Sequence, residues 1–278
     1  MVIAILAAVA LAAGCGKNTS SSPSPNTSGK TEKTISVMVP CGQMGPFSEV
    51  AELFEKQNPG VKLDWIPLNM VTIVQKIVNG KEKPDAFLSM GDHEVDLVQQ
   101  AGLVLEGTRT KYADNALAIT VPADNPGGVT SIKDFVKPSV KTIAVPDPKM
   151  NSVGTHGMEA LRGAGIWDQV KDKVIQPQYA ADGNEMGGKG QVEASIGYYP
   201  CVGEVHIKGQ PPAKPKNIKV VGLIEASYYS EFSCEAAVVK GCKDPEGGKQ
   251  VIEMLKTPEA REIFRKWDFS RVLQEGAE

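Results

Sequence analysis

The side chains with the most distinctive chemistry are five cysteines: Cys15, Cys41, Cys201, Cys234 and Cys242. Thiolate sulfur, with the thioethers of Met44 and Met70 and the imidazole of His156, selects soft or borderline ions such as Cu(I), Zn(II), Hg(II) or trivalent arsenic over Mg²⁺ or Ca²⁺. No local spacing such as Cys-x-x-Cys groups these donors. The residue types therefore indicate soft-ion chemistry, whereas their spacing alone does not assemble a site.

The same residues allow other chemistry. Without Cys15, the cysteines form an even set that could pair as structural disulfides in an oxidising compartment, or act as a reversible thiol redox pair. A nucleophile could form from Cys41 or Cys201 with His156, but no accompanying Asn or Asp arrangement is visible, so no enzyme is expected. The glycine-rich segment 183–190 lacks the Gly-Lys-Ser/Thr order of a phosphate loop and is expected to be an irregular loop.

The first residues read as an export signal. The apolar run MVIAILAAVALAA is shorter than the roughly 20 residues that a helix needs to cross a bilayer. It ends in Leu-Ala-Ala-Gly-Cys, which resembles the lipobox of bacterial lipoproteins. We expect residues 1–14 to be a signal peptide, Cys15 to carry lipid, and 15–33 to form a disordered Ser/Thr/Pro tether. The protein would then be exported and anchored to the cell envelope by its lipid alone.

Composition indicates a folded body after that tether. Hydrophobic residues make up 41% of the 278, and 30 basic against 33 acidic residues give a formal charge of −3. This balance gives no electrostatic case for binding a nucleic-acid backbone. The length is sufficient for one large or two medium domains that bury their own cores.

Two series of alternating strands and helices follow. Strands are predicted near 35–39, 61–66 and 85–89 with helices between them, and a second series has strands near 142–145, 174–175 and 194–199. This pattern is typical of an α/β protein with two lobes, each a mixed sheet flanked by helices, and a ligand cleft between them. We assign 34–121 plus 225–278 to lobe 1 and 122–224 to lobe 2.

Several blocks, in order, carry a family resemblance: FEKQNPGVKLDW, DAFLSMGDHEVDLVQQAGLV, LAITVPADNPGGVTSIKDF, IAVPDPKMNSVGTHGMEALRGAGIWDQVKDKVI and AAVVKGCKDPEGGKQVIEMLKTPEAREIFRKWDF. Together they resemble the molybdate-binding proteins of ABC importers, which are type II periplasmic solute-binding proteins. The resemblance covers nearly all of 34–270. It implies a monomer that closes over a small inorganic ligand and delivers it to a membrane permease, with no catalytic cofactor.

The resemblance also implies where the ligand lies, and there the chain departs from the family. The first family serine aligns with Gly42 or its neighbour Cys41, and the second serine-rich turn falls on Asn69–Val71, so neither turn keeps a serine hydroxyl. The implied ligand-binding set is the following: Cys41, Gly42, Met70, Val71, Val153, His156, Asp182, Tyr198, Cys201 and Cys234.

Two hypotheses for the ligand follow. In the first, which the substitutions favour slightly, a thiophilic metal or metalloid is bound by Cys41, Cys201 and Cys234. In the second, molybdate, tungstate or a related oxyanion is held by backbone N–H groups near Gly42, Val71, Val153 and Asp182, because backbone donors do not depend on side-chain identity. A thiol redox protein is the third alternative.

Overall fold

The computed structural model describes residues 32–199, 201 and 217–269. The predicted signal peptide 1–14, Cys15 and most of the tether 15–33 lie outside the described residues. The described chain forms two five-stranded mixed sheets, each flanked by helices. The α/β class and the two-lobed architecture predicted from the sequence are thus confirmed.

Lobe 1 is built on the first sheet, whose strand order is β2-β1-β3-β10-β4. Its strands are β1 (Lys33–Pro40), β2 (Val61–Leu68), β3 (Ala86–Leu88), β4 (Thr110–Asp114) and β10 (Ser233–Val238). Its helices are α1 (Met44–Gln57), α2 (Met70–Val78), α3 (His93–Gln100), α7 (Pro245–Lys256) and α8 (Pro258–Lys266). Strand β1 runs parallel to β2 and β3, whereas β10 is antiparallel to both of its neighbours.

Lobe 2 is built on the second sheet, whose strand order is β7-β6-β8-β5-β9. Its strands are β5 (Leu117–Pro122), β6 (Ile143–Ala144), β7 (Val174–Ile175), β8 (Ala194–Tyr198) and β9 (Ile218–Leu223). Its helices are α4 (Ser152–Gly163), α5 (Trp167–Val170) and α6 (Ala180–Gly188). Strand β6 is parallel to β7 and β8, and β5 is antiparallel to β8 and β9.

Local sequence explains the helix starts and the core. The side chains of Asp244 and Thr257 accept hydrogen bonds from the N–H groups of Gly247 and Ala260, with proline at the first helical position of α7 and α8. Strand β5 is buried along its whole length, as expected for a strand at the centre of a sheet. Helix α1 turns Phe47, Val50, Ala51 and Phe54 towards the core at the predicted helical spacing.

Two details of the sequence-based assignment are wrong. Strand β5 lies within the segment assigned to lobe 1, but it pairs only with β8 and β9, so the chain changes sheet between Asp114 and Leu117. The glycine-rich segment expected to be an irregular loop is largely helix α6, which ends at Gly188.

The fold brings chain segments from both lobes to one face. Strands β1 and β3 are parallel, so the segments that follow their carboxyl ends meet at one edge of the first sheet. Across from this edge lie the start of α4 and the end of β8, as the hydrogen bonds between Glu94 and both Ser152 and Tyr198 show. No helix among the described residues is long and apolar enough to cross a membrane.

Candidate functional site

Sulfur atoms from both lobes lie close together at the interlobe face. The Sγ of Cys201, which follows β8, lies 3.9 Å from the Sδ of Met90, which follows β3. Gly42 permits this approach, because a Cβ at that position would lie 2.0 Å from the Cys201 Sγ. The cleft residues predicted at positions 42 and 201 are therefore in contact across the lobes.

Cys234 lies at the base of the same group. It is fully buried at the start of β10, and its thiol lies 3.8 Å from the carbonyl oxygen of Met90. Asn115 Nδ2 is 3.8 Å from the same sulfur, on the segment where the chain crosses between sheets. Burial raises the pKa of both the Cys201 and the Cys234 thiol, so these groups are protonated at neutral pH in the absence of a bound cation.

Cys41 occupies the rim of this group. It opens a 3₁₀ turn (Cys41–Gln43) directly after β1 and is exposed. Its charge contributes to the raised pKa of Cys201, which places the two sulfurs within electrostatic reach of each other. Cys41, Cys201, Cys234 and Cys242 are all free thiols, so the predicted alternative of structural disulfides is not formed among the described residues.

Gln43 adds a polar group behind the sulfurs. The residue is fully buried, and its Oε1 accepts a hydrogen bond of 2.6 Å from Tyr112 OH. Its Nε2 is buried without a hydrogen-bond partner among the described residues. A buried donor left unmatched is costly, so Nε2 is a group that a bound ligand could satisfy.

A buried carboxylate forms the second part of the site. Glu94, in the first turn of α3, is fully buried. Its Oε1 accepts hydrogen bonds from the N–H of Ser152 and from Tyr198 OH, both at 3.0 Å. Its Oε2 accepts from the Ser152 hydroxyl at 2.6 Å. A lobe 1 carboxylate is thus held entirely by lobe 2 donors at the start of α4 and the end of β8, apart from a longer contact of 3.4 Å to Ser89.

A second link between the lobes involves His156. Its Nε2 lies 3.2 Å from Asp92 Oδ1 in lobe 1, and its Nδ1 lies 3.1 Å from Glu159 Oε2 on its own helix. Burial alone would lower the pKa of His156, but the hydrogen bonds and charges of the two carboxylates outweigh it, and the pKa is raised. The prediction that His156 belongs to the cleft region agrees with this position, but both ring nitrogens are already paired.

Four other predicted residues make their contacts within their own lobes. The Met70 side chain is part of the core, and the Val71 N–H donates to the Asn69 side chain at 3.0 Å. Val153 is fully buried. The Asp182 carboxylate accepts from the N–H of Tyr179 at 3.3 Å and so caps α6. These residues are not brought to the sulfur group.

No group of three or more His, Cys, Asp or Glu side chains in the described part of the chain is already arranged to hold a metal ion. The sulfur group would therefore need side-chain movement to form a three-coordinate thiolate site. The residues that sequence reasoning missed are Glu94, Ser152, Gln43 and the ligand-like position of Met90, which was expected to be core.

Comparison with known proteins bears on what such a cleft does. A family model described as bacterial extracellular solute-binding protein matches residues 35–270. The chain is 23% identical over 268 residues to YvgL of Bacillus subtilis (strain 168), provisionally named an ABC transporter substrate-binding lipoprotein, with 96% of each chain covered.

It is 24% identical over 259 residues to the molybdate-binding protein ModA of Mycobacterium tuberculosis (strain H37Rv), with 92% of each chain covered. Among solved structures, the periplasmic molybdate-binding protein of Azotobacter vinelandii aligns with a TM-score of 0.65 at 17% identity, covering 84% of this chain and 98% of that one.

Proposed function

The chain belongs to the bacterial extracellular solute-binding protein family, and we propose that the solute it captures for an ABC importer is a thiophilic metal or metalloid species bound by Cys41, Cys201 and Cys234. The general role, a substrate-binding protein of an ABC importer related to the molybdate-binding proteins, follows from the family and its relatives. The identity of the solute is the part proposed here.

The observation that carries this proposal is the contact between sulfur atoms of different lobes. Cys201 reaches from lobe 2 onto Gly42 and Met90 of lobe 1. A soft ion bound there would contact both lobes, and binding that requires both lobes stabilises the closed state. Thiolate and thioether ligands select soft ions over hard ones.

The charges near the cleft agree with a cationic or neutral solute. Asp92 and Glu94 both bond across the lobes, and the nearby cation His156 is already paired with two carboxylates. A dianionic solute placed here would be repelled by Glu94. A cation would be attracted, and its binding would release the protons that the Cys201 and Cys234 thiols carry.

The second candidate is an oxyanion of the molybdate type, which the names of the relatives favour. It would rely on backbone N–H groups near Gly42, Val71, Val153 and Asp182. The N–H of Val71 is already donated to Asn69, and the amide of Ser152 at the start of α4 is donated to Glu94. The structure therefore supports this candidate less well than the first.

The test compares solutes on the purified protein with reduced thiols. We expect Zn²⁺, Cu(I) or arsenite to raise Tm and to bind stoichiometrically by elemental analysis. The C41S/C201S variant should lose this shift, whereas C242S, which changes a cysteine outside the site, should keep it. Equal stabilisation of wild type and C41S/C201S by molybdate would refute the proposal and support the oxyanion. Thiols that change oxidation state without any solute would support the redox alternative.

We further propose that the protein is attached to the cell envelope through lipid on Cys15 and works with a membrane permease as a monomer. The support is the lipobox-like sequence before Cys15 and the lipoprotein designation of YvgL. Fractionation of cells expressing the full chain should place wild type with membranes and Cys15→Ala in the soluble fraction. Identical distribution of the two proteins would contradict the lipid anchor.

A further inference from the structure

The carboxylate of Glu94 is bound by lobe 2 in the way a protein binds a separate anion. Three donors converge on its two oxygens: the N–H and hydroxyl of Ser152 and the hydroxyl of Tyr198, at 2.6 to 3.0 Å. None of these donors belongs to the lobe that carries Glu94. The side chain is fully buried, so water does not share in its solvation.

The donors are suited to an oxyanion. Helix α4 has 12 residues, and Ser152 is its first, so its N–H lies at the positive end of the helix dipole. Hydroxyl and backbone N–H groups donate without contributing charge. They therefore bind an anion by hydrogen bonds alone, which is the arrangement that Glu94 now fills.

Local sequence creates the close approach. Gly91 precedes α3, and a Cβ at this position would lie 2.0 Å from the Ser152 Oγ. The N–H of His93 also donates to the Ser152 Oγ, at 3.1 Å. The segment from Gly91 to Glu94 is thus fitted to the start of α4, and the carboxylate is one part of a specific contact.

No cation near α3 is available to share an additional anion. His156 pairs with Asp92 and Glu159. Arg109, whose guanidinium reaches the carbonyl of Asp92 at 3.5 Å, pairs with Asp96 and Glu235. An oxyanion entering beside Glu94 would therefore meet a carboxylate whose charge it cannot share with a free positive group in this region.

We infer that Glu94 is a specificity-determining residue: its carboxylate occupies the oxyanion position of lobe 2 and so excludes tetrahedral dianions from the cleft. The inference rests on the proposed function only in taking the interlobe cleft as the solute site. It does not require that the cysteines bind a metal. It deepens the proposal by explaining why a relative of molybdate-binding proteins would reject that class of solute.

The experiment measures molybdate, tungstate and sulfate binding by calorimetry and by Tm shift for wild type, E94A and E94Q. Wild type should show no binding at millimolar oxyanion. E94A, which vacates the position and removes the charge, should gain at least tenfold in affinity for molybdate. E94Q keeps the size and removes the charge, and a gain of at least threefold is expected. Glu246→Gln, an exposed acid on α7, is the matched control and should behave as wild type.

Micromolar binding of molybdate by wild type would overturn the inference, because the carboxylate would not then exclude the anion. A folded E94A with no gain in oxyanion affinity would overturn it as well. If E94A does not fold, E94Q decides: a gain supports the inference, and no gain overturns it. Loss of metal binding in wild type would count against the thiol proposal alone, since the oxyanion measurements do not involve the cysteines.

Discussion

His156 shows how one residue can couple the closed arrangement to pH. It links Asp92 of lobe 1 to Glu159 on its own helix, and its ring stacks on Phe232 with centroids 4.4 Å apart. Glu159 also accepts a hydrogen bond from the N–H of Ser230 at 2.9 Å. The pKa of His156 is raised from its ordinary value of 6.5, and the pKa values of Asp92 and Glu159 are lowered.

We predict that the His156 contribution to stability is fully present below pH 6.5 and is lost as pH rises through its raised pKa. The lowered pKa values of Asp92 and Glu159 mean that their contribution is lost only as pH falls through those values. Melts of wild type from pH 5 to 9 should therefore show a decline in Tm above neutrality that is smaller in His156→Gln. Asp92→Asn should reduce the same decline, and unchanged curves in both variants would contradict the prediction.

Sequence reasoning at the residue scale found the reactive types and missed the charged partner. Cys201, Cys234 and Tyr198 were predicted for the cleft, and the structure brings them to the interlobe face. Glu94 was not predicted, because an acid in the first turn of a helix is explained by that helix's own dipole. Its true partners are Ser152 and Tyr198, far along the chain, and periodicity carries no information about them.

At the scale of elements, regular patterning predicted the strand and helix order, and tertiary packing decided the exceptions. Helix α6 was missed because glycine costs about 1 kcal/mol in a helix relative to alanine. In the structure a Cβ on Gly183 would lie 3.1 Å from the Ser195 Cβ and 3.3 Å from the Ala144 Cβ. The glycine lets the helix pack closely on the second sheet, and that packing outweighs propensity.

Strand β4 was missed for a different reason. It reads Thr-Lys-Tyr-Ala-Asp and has little apolar alternation. It lies at the edge of the first sheet, paired only with β10, and an edge strand tolerates charged side chains. Its one buried residue, Tyr112, packs on Phe264 and bonds to Gln43, so the strand is fixed by tertiary contacts that composition does not show.

At the scale of the whole molecule, three links hold the lobes together without any solute. Glu94 bonds to Ser152 and Tyr198, Asp92 bonds to His156, and Cys201 packs on Gly42. A solute-binding protein works by shifting the balance between open and closed states. Built-in links of this kind raise the closed population before the solute arrives.

We predict that the solute-free D92N/E94Q protein has a larger radius of gyration than solute-free wild type, because both polar links between the lobes are weakened. Small-angle X-ray scattering at neutral pH measures this directly. The control is E246Q/E253Q, which changes two exposed acids that pair with lysines of α7 itself. Identical scattering of D92N/E94Q and wild type would show that these links do not set the lobe arrangement.

The position of β10 has a consequence for how the protein is made. This strand lies between β3 and β4, and β4 has no other partner in its sheet. The first sheet therefore cannot be completed until residues 233–238 have left the ribosome, whereas all five strands of the second sheet are synthesised by residue 223. During biosynthesis, the half of the protein that starts first finishes last, which leaves a long interval in which secretion machinery can engage a chain that has not yet folded.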